Sequence, residues 1–307
     1  MTSPPDRISL VEAARAAIEQ GSKSFTLASR LFDRATRERA WLLYAWCRAC
    51  DDLTDGQSLG HGQSAPADPA ERLALLTTLT ERALAGEATG ETAFEALRTV
   101  AAECAIPHGL VRDHIAGFAM DAAAWRPETE ADLLLYCYRV AGAVGCMMAV
   151  VMGVAPDERD TLDRASDLGI AFQLANIARD LADDSANGRC YVPSAWLAQA
   201  GIAPGAQMQP DVAASMAARL TSLAHAYEIS ARAGAARLPF RSRWAVLAAA
   251  GIYGAIGRKV AARGMRAWEE RVVIRKRRKL AEVGRALALT RVRRRERARD
   301  GLWTRPL

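Results

Sequence analysis

Apolar residues recur at spacings of three and four along most of the chain, and no segment sustains the strict alternation that is typical of strands. This spacing predicts a succession of helices, and glycine or proline residues separate most of them. The predicted helices cover residues 8–19, 23–31, 35–55, 69–85, 91–104, 108–124, 129–153, 157–184, 209–234, 240–269 and 277–299. Because no internal repeat and no strand-like segment interrupts them, the pattern favours an all-α architecture with a single domain over residues 1–307.

Two segments depart from the amphipathic pattern. Val140–Ala155 is strongly apolar but falls short of the roughly 20 residues that a membrane-spanning helix needs, so we expect a buried helix there. Gly56–Pro69 is rich in glycine, serine and proline and is predicted to be a loop. That loop is too short to require a domain boundary.

Composition supports a large helical core. The chain has 307 residues, half of them apolar, and is rich in alanine, which has the highest intrinsic helix propensity. This apolar content excludes global disorder. Six cysteines in so long a chain do not form a disulfide framework, and the first residues lack the apolar stretch of a secretory signal. We therefore expect a reduced, cytoplasmic setting.

Positive charge is concentrated near the C-terminus. The net charge is +6, but residues 255–307 contain 18 Lys and Arg against 5 Asp and Glu, and the densest part is the basic C-terminal segment 271–307. A solvated charged helix and attraction to anionic lipid head groups are both compatible with this composition. Nucleic-acid binding lacks a recognisable module, so we expect no nucleic-acid partner.

Two predicted helices end in clusters of aspartate. Asp51 and Asp55 are four residues apart and so lie on one helix face, and Asp180 and Asp184 repeat the arrangement. Each cluster occupies the last helical turn, where the helix dipole disfavours negative charge by about 0.3–1 kcal/mol per carboxylate. A solvated acidic helix end is the simplest interpretation of either cluster alone.

The residues that precede each cluster favour a metal site over a solvated end. Both helices carry apolar residues on several sides, as buried helices do. Carboxylates on buried helices need cations, and oxygen ligands suit Mg²⁺ or Mn²⁺. Because protein-bound magnesium usually keeps one or two carboxylates and takes its other ligands from substrate phosphates or water, the acidic pairs predict a phosphorylated ligand.

Basic and hydroxyl groups near the acids are candidates for binding phosphate. Arg48 precedes Asp51 by three residues, and Arg179 is next to Asp180. The segment Ser22–Phe25 begins a predicted helix and offers backbone N–H groups, hydroxyls and the ammonium of Lys23. An ordinary serine cap explains that segment equally simply. Nucleotide binding is not supported, because neither a Walker nor a Rossmann glycine motif is present.

Small residues accompany tyrosines on two apolar helices. Gly142 and Gly145 follow Tyr136, and Gly251, Gly254 and Gly257 surround Tyr253. Their absent side chains permit either close helix packing or space for a long hydrocarbon, and both interpretations stay open.

Other chemistry is set aside. Cys47 and Cys50 form a CxxC inside a predicted helix, with no preceding strand and no second cysteine pair, so redox and zinc roles are disfavoured. Four histidines are scattered without ligand spacing, and His108, His114 and His225 are expected to satisfy local hydrogen bonds.

Several motifs together resemble one known family. They are GSKSF from residue 21, YAWCRACDDLTD from 44, YCYRVAG from 136 and, most specifically, AFQLANIARDLADDSANGRCYVP at 171–193. This sequence is similar to the squalene/phytoene synthase family of trans-isoprenyl diphosphate synthases, and the resemblance runs nearly end to end. It departs at Asp52 and Asp183, where glutamate is common, and at Thr54, where an aliphatic residue is usual.

The resemblance implies an isoprenoid synthase fold, a single helical domain around a central cavity with two facing acidic helices. It implies catalytic roles for Asp51, Asp55, Asp180, Asp184, Arg48 and Arg179. It implies metal ligation by Asp51, Asp55, Asn176, Asp180 and Asp184. The implied substrate-binding residues are Ser22, Lys23, Ser24, Phe25, Tyr44, Arg48, Tyr136, Gln173, Asn176, Arg179, Tyr253 and Arg271.

The implied activity is a Mg²⁺- or Mn²⁺-dependent head-to-head condensation of two geranylgeranyl diphosphates, through prephytoene diphosphate, to 15-cis-phytoene. The chain shows no nicotinamide fingerprint, so no NADPH is expected. A C30 synthase that uses farnesyl diphosphate is the alternative enzyme, and a basic helical protein that binds membranes or nucleic acid is the non-enzymatic one. We further expect peripheral attachment to an anionic membrane surface and a phytoene desaturase as a possible partner.

Overall fold

The structure, a computed structural model, describes residues 5–56, 68–203, 206, 208–292 and 299–306. Over these residues it contains helices and no strands, as the apolar spacing predicted. The helices are α1 Arg7–Gly21, α2 Lys23–Ser29, α3 Arg34–Thr54, α4 Pro69–Leu84, α5 Thr92–Cys104, α6 His108–Ala122, α7 Glu130–Cys137, α8 Ala143–Val151, α9 Arg159–Ala186, α10 Ser194–Gln199, α11 Pro210–Gly234, α12 Phe240–Arg263 and α13 Lys276–Thr290.

Three predicted helices need correction, and one helix was missed. The helix predicted over 129–153 contains a π-helical turn, Tyr138–Gly142, between α7 and α8. The helix predicted to reach residue 269 ends at Arg263, because Gly264 adopts a positive φ of 55°. The last helix ends at Thr290 rather than 299. Short α10 was not predicted, since six residues are too few to show a period. The predicted loop 56–69 lies almost wholly outside the described residues.

The helices pack around two large hydrophobic clusters, and a small third cluster joins α12 to α13. One includes Trp46, Phe94 and Met147 from the N-terminal half, and the other is centred on α9 and includes Leu174 and Tyr227. Two helical stretches of the described chain, 130–151 and 240–266, are long and apolar enough to cross a membrane, but 61% and 50% of their most apolar windows are buried in the protein. The apolar run at 140–155 therefore supplies core, as predicted.

Glycines bring α9 into close contact with α8 and with the π-helical turn that precedes it. A Cβ added at Gly145 would lie 2.4 Å from the Ala165 carbonyl oxygen, and one at Gly169 would lie 2.2 Å from that of Ala141. Of the two interpretations of the small residues, close packing holds at these positions. Gly257 on α12 differs, because its added Cβ would make only ordinary contacts, the nearest at 3.5 Å.

The C-terminal residues are anchored to the body by ion pairs. The Arg299 guanidinium donates to both carboxylate oxygens of Asp167, at 2.7 and 2.8 Å, and Arg305 donates to Asp163 at 2.9 Å. The backbone N–H of Trp303 donates to the Tyr227 hydroxyl at 3.1 Å. Acidic residues of α9 thus neutralise part of the basic C-terminal segment.

Candidate functional site

A chamber of about 590 Å³ opens between the two clusters. Its deeper walls are apolar and include Phe118, Val144, Met148 and Leu168. Among its polar lining residues, Arg48 and Asp51 lie in the last turns of α3 and Asp121 in the last turn of α6, and we call this end of the chamber its mouth. An apolar space with a few converging polar groups is the usual form of a small-molecule site.

The chamber brings together many of the residues predicted to bind substrate. Eight of them line it, and so does the predicted metal ligand Asp51; the eight are Ser22, Phe25, Tyr44, Arg48, Tyr136, Gln173, Asn176 and Tyr253. The sequence separates these residues by up to 231 positions, so their convergence is a property of the fold. Their placement is compatible with the predicted binding roles, which stay predictions.

The other predicted residues do not line the chamber. They are Lys23, Ser24, Asp55, Arg179, Asp180, Asp184 and Arg271. Some of them are paired with each other. The Arg179 guanidinium donates twice to Asp180, at 2.8 and 2.5 Å, and Arg271 contacts Asp180 at 3.2 Å and Asp183 at 3.4 Å.

The first acidic end, which comprises Asp51, Asp52 and Asp55, closes α3. Arg48 pairs with Asp52 at 2.6 Å and leaves Asp51 without a direct partner among the described residues. Burial raises the pKa of Asp51 to about 7, and the nearby carboxylates of Asp55, Asp52 and Asp121 add to the effect, whereas Arg48 opposes it. Asp51 is nevertheless exposed to solvent, and it borders the chamber.

The second acidic end, which comprises Asp180, Asp183 and Asp184, closes α9. Burial raises the pKa of Asp184 to about 6, and the charges of Asp180, Asp183 and Asp121 act in the same direction. Two carboxyl groups with raised pKa values, one on each helix, indicate negative charge that the protein itself does not fully compensate. Binding of added cations would stabilise such a site.

Asp121 at the end of α6 links the two acidic ends electrostatically. It raises the pKa of Asp51 at one end and of Asp184 at the other. Its carboxylate accepts hydrogen bonds from the hydroxyls of Tyr136, at 3.1 Å, and Tyr191, at 2.8 Å. Asp51 of α3, Asp121 of α6 and Asn176 of α9 also line the same chamber, so the C-terminal parts of these helices converge at the mouth.

Sequence reasoning missed Asp121 and Arg189. Arg189 follows α9. Burial alone would lower the pKa of its guanidinium, but the charges of Tyr191, Asp121, Asp55 and Asp184 outweigh burial and raise it. Asp121 is a single aspartate at the end of an apolar helix, so no pair of carboxylates four residues apart marks it in the sequence. Arg189 lies inside the most specific motif, at 171–193, and that position was the available clue.

The donor set fits a divalent cation that brings most of its own ligands. Among the described residues, no three His, Cys, Asp or Glu side chains are grouped closely enough to hold a metal by themselves. Undercompensated carboxylates on facing helices nevertheless suit Mg²⁺, which takes one or two carboxylates and completes its shell with phosphate and water oxygens. The acidic ends therefore fit a metal that arrives with a diphosphate.

Aromatic rings line the chamber near the mouth. Phe172 stacks on Tyr253 with centroids 4.2 Å apart, and Phe25 lies 5.3 Å from the same tyrosine. Tyr136, which also lines the chamber, stacks on Tyr191 with centroids 4.8 Å apart. Faces of such rings attract cations, so the chamber walls suit positively charged intermediates.

The structure supports no chemical role in this site for the thiols of the CxxC segment. Cys47 and Cys50 are both free, and burial raises the pKa of each thiol well above its usual range. Protonated, buried thiols are poor nucleophiles and poor metal ligands.

Comparison with known proteins agrees with this geometry. A family model described as squalene/phytoene synthase matches residues 18–278. A phytoene synthase of Pseudescherichia vulneris is 46% identical, with both chains covered in full. A 15-cis-phytoene synthase of Pantoea ananas is 46% identical over 86% of each chain.

A solved structure shows the same fold. The crystal structure of a dehydrosqualene synthase in complex with a ligand superposes with a TM-score of 0.80, covering 92% of this chain and 96% of the other. The two sequences are 24% identical, so the likeness concerns the fold. The predicted fold class, an all-α isoprenoid synthase fold, is confirmed.

Proposed function

The chain belongs to the squalene/phytoene synthase family, and we propose that it is a 15-cis-phytoene synthase. As a prenyltransferase, it joins two geranylgeranyl diphosphates head to head, through prephytoene diphosphate, to form phytoene, a step in carotenoid biosynthesis. Relatives that carry this name match it at 46% identity over most or all of its length. The single observation that carries the proposal is an apolar chamber whose mouth lies between two converging acidic helix ends.

Substrate binding follows from the division of the chamber. The apolar walls receive the isoprenoid tails, because burying each methylene contributes about 0.8 kcal/mol. The diphosphates remain at the mouth. We expect Lys23, Arg48, Arg179 and Arg271 to supply positive charge to them, and Ser22 and Ser24 to supply hydroxyl donors. Binding lets Arg179 and Arg271 exchange their bonds with Asp180 for bonds with phosphate oxygens.

A divalent metal, Mg²⁺ or Mn²⁺, would be held by Asp51, Asp55, Asn176, Asp180 and Asp184. When bound, it neutralises the negative charge that develops as diphosphate departs. Arg48 and Arg179 stabilise the same departing charge from the protein side. We propose no role for NADPH.

The chain's own residues then manage the carbocation. The C–O electron pair leaves with diphosphate, and the cationic carbon is attacked by the 2,3-double bond of the second substrate. Tyr253, Phe172 and Tyr136 present ring faces or hydroxyls to the charge. The dry chamber prevents water from capturing the cation.

Incubation of the purified protein with Mg²⁺ and either geranylgeranyl or farnesyl diphosphate, without NADPH, tests the proposal. We expect a C40 hydrocarbon identified as 15-cis-phytoene by chromatography and mass spectrometry. A product of C30 length alone would instead establish the alternative C30 synthase. Absence of product from either substrate, in a folded protein with Mg²⁺ bound, would contradict both.

We also propose that the enzyme is cytoplasmic and attaches peripherally to anionic membranes. Apolar side chains are exposed in its C-terminal part, at Met265 (62%), Val273 (59%) and Leu280 (50%), and exposed basic residues follow one another over 275–278. Each Lys or Arg near an anionic surface contributes about 1 kcal/mol of attraction. The insoluble product then forms beside the membrane that holds a desaturase.

Flotation with vesicles tests the attachment. We expect salt-sensitive binding to vesicles that contain phosphatidylserine, and much weaker binding to neutral vesicles. Equal binding to both would contradict an electrostatic attachment.

A further inference from the structure

We propose that Ala165 sets the chain length of the substrate, because its small side chain leaves room in the chamber for the fourth isoprene unit of a geranylgeranyl tail. The proposal rests on the phytoene synthase activity proposed above. It adds to that activity a residue that distinguishes geranylgeranyl from farnesyl diphosphate. Ala165 lies on α9 and lines the chamber.

One face of α9 lines the chamber along most of its depth. The lining residues of this face that are partly exposed are Ala165, Leu168, Phe172, Gln173 and Asn176, and their spacing places them on one side of the helix. Elsewhere α9 packs against α8, α11 and α12. The surface that these five residues expose therefore faces the chamber and is open to a tail.

Helix geometry relates the residues of this face to depth in the chamber. Because α9 rises about 1.5 Å per residue, Ala165 lies about 17 Å deeper along the helix axis than Asn176 at the mouth. Each isoprene unit has four carbons in line, and bonds of about 1.5 Å extend such a unit to about 5 Å. Three farnesyl units thus reach about 15 Å, and four geranylgeranyl units reach about 20 Å. With its first carbon level with Asn176, a farnesyl tail ends just short of Ala165, whereas a geranylgeranyl tail passes it.

The chamber continues beyond Ala165 for about the length of one further unit. Gly145 of α8 approaches the carbonyl of Ala165, and four residues earlier Ala141 approaches Gly169, so the two segments run antiparallel. Met148 comes three residues after Gly145 and therefore lies about 5 Å deeper than Ala165. It lines the chamber and is partly exposed. The depth of Met148 thus matches the end of a geranylgeranyl tail.

The floor of the chamber lies at about the same depth and is held in place by polar bonds. Thr161, about 22 Å deeper than Asn176, lines the chamber and is only 5% exposed. Arg164 also lines it and is 4% exposed. The guanidinium of Arg164 donates to Asp160 at 3.0 Å and to the Ser230 hydroxyl at 3.3 Å. These bonds fix the wall that the end of a four-unit tail meets.

A larger side chain at residue 165 would fill the space of the fourth unit. Helical side chains lean toward the N-terminus of their helix, and on α9 this is the direction of the floor. The added atoms would therefore lie beyond the end of a farnesyl tail and in the place of the last geranylgeranyl unit. Leu168, in contrast, lies about 12 Å deeper than Asn176, a depth that both tails pass. Residue 165 thus separates the two substrates, and residue 168 does not.

Ala165→Leu tests the proposal, and Leu168→Phe is the matched control at the shallower depth. One readout is the Kd, with Mg²⁺, of farnesyl and geranylgeranyl thiolodiphosphates, in which sulfur replaces the bridging oxygen and ionisation is slowed. The other readout is the size of the hydrocarbons formed from an equimolar mixture of the two natural diphosphates. Circular dichroism establishes that each variant folds, and Ala165→Met takes the place of Ala165→Leu if that variant does not.

We expect Ala165→Leu to lower both the preference for the geranylgeranyl analogue and the ratio of C40 to C30 products by at least about tenfold, since a misfit of one methylene in an apolar pocket already changes selectivity by about 10- to 200-fold. Leu168→Phe should weaken the binding of both analogues alike, with the ratio of their affinities within about threefold of the wild-type ratio.

Three results would overturn the proposal. They are an unchanged ratio in Ala165→Leu, an equal fall of the ratio in Leu168→Phe, and loss of both analogues from a folded Ala165→Leu protein, in which a farnesyl tail is expected to fit.

The two readouts separate this proposal from the proposed function. If the wild type forms no hydrocarbon but the ratio of analogue affinities falls in Ala165→Leu alone, the synthase function fails and Ala165 remains the residue that sets chain length. If the wild type forms phytoene and the ratio does not change in Ala165→Leu, only the assignment of Ala165 fails.

Discussion

The Tyr191 hydroxyl donates a hydrogen bond of 2.8 Å to Asp121, a carboxylate 70 positions earlier in the chain. This bond ties the segment that follows α9 to the end of α6. Burial raises the pKa of Asp121, whereas the hydroxyls of Tyr191 and Tyr136 oppose that shift and favour the ionised form. Asp121 is thereby held as a further acid between the two acidic ends.

Replacing Asp121 with Asn should reduce kcat by about ten- to a hundredfold and raise the Mg²⁺ concentration needed for half-maximal activity, because a charge between the acidic ends is lost. Metal titrations of steady-state activity measure both effects. Tyr191→Phe is the matched control, since it removes one hydrogen bond and leaves the charge. An unchanged Mg²⁺ requirement in Asp121→Asn would show that this carboxylate does not assist metal binding.

Arg299→Met should lower the free energy of unfolding by about 3–5 kcal/mol, because it leaves the fully buried Asp167 carboxylate without its cation. Urea unfolding followed by circular dichroism measures the change. Arg285→Met is the control. Arg285 is 63% exposed, and its guanidinium lies as far as 3.8 Å from the Glu282 carboxylate, so this ion pair is weak. We expect the free energy of unfolding to change by less than about 1 kcal/mol. Equal effects of the two changes would contradict the anchoring role of the C-terminal residues.

His114 should make the protein less stable in mild acid. Its folded-state pKa of about 4 lies below the ordinary value of 6.5, so the unfolded chain binds the proton more tightly between these limits. The free energy of unfolding should therefore fall as pH drops from 6.5 to 4, by about 3 kcal/mol from this residue.

His114→Phe should remove that part of the pH dependence. Urea unfolding at several pH values between 4 and 7 compares the two slopes. A slope identical to that of the wild type would show that His114 does not titrate abnormally in the folded protein.

Gly169→Ala should destabilise the fold by about 1–3 kcal/mol or more, because its Cβ would lie 2.2 Å from the Ala141 carbonyl oxygen, and backbone must move. Gly257→Ala is the control, since its Cβ meets nothing closer than 3.5 Å. Thermal unfolding compares the two. A Gly169→Ala protein as stable as Gly257→Ala would contradict the close approach of α9 to the π-helical turn that precedes α8.

Much of the fold was predictable because helices leave a local record. The apolar spacing located most helices, and the spacing of four placed Asp51 with Asp55 and Asp180 with Asp184. Gly264 ended α12 early, and that was missed because an isolated glycine is tolerated inside many helices. The π-helical turn was missed because its sequence, YRVAG, has no distinguishing local preference.

The site was predictable only where chemistry comes in pairs or motifs. Asp121 and His114 are single residues on α6, and their importance depends on what other helices bring near them. No spacing within α6 records that Tyr191, the Arg139 carbonyl or the second acidic end is close. The expectation that His114 satisfies a local hydrogen bond accounts for Nδ1 and leaves Nε2 without a partner among the described residues.

The central claim is that the acidic ends of α3 and α9 act together on one metal-bound diphosphate. Turnover of geranylgeranyl diphosphate with Mg²⁺ by Asp51→Asn and by Asp180→Asn tests it most directly, with Asp157→Asn as an exposed control that makes the same change of charge. We predict that each of the two site variants loses turnover by more than about a hundredfold while its thermal unfolding shows an intact fold, and that the control keeps wild-type activity. Full activity in either site variant would contradict the claim.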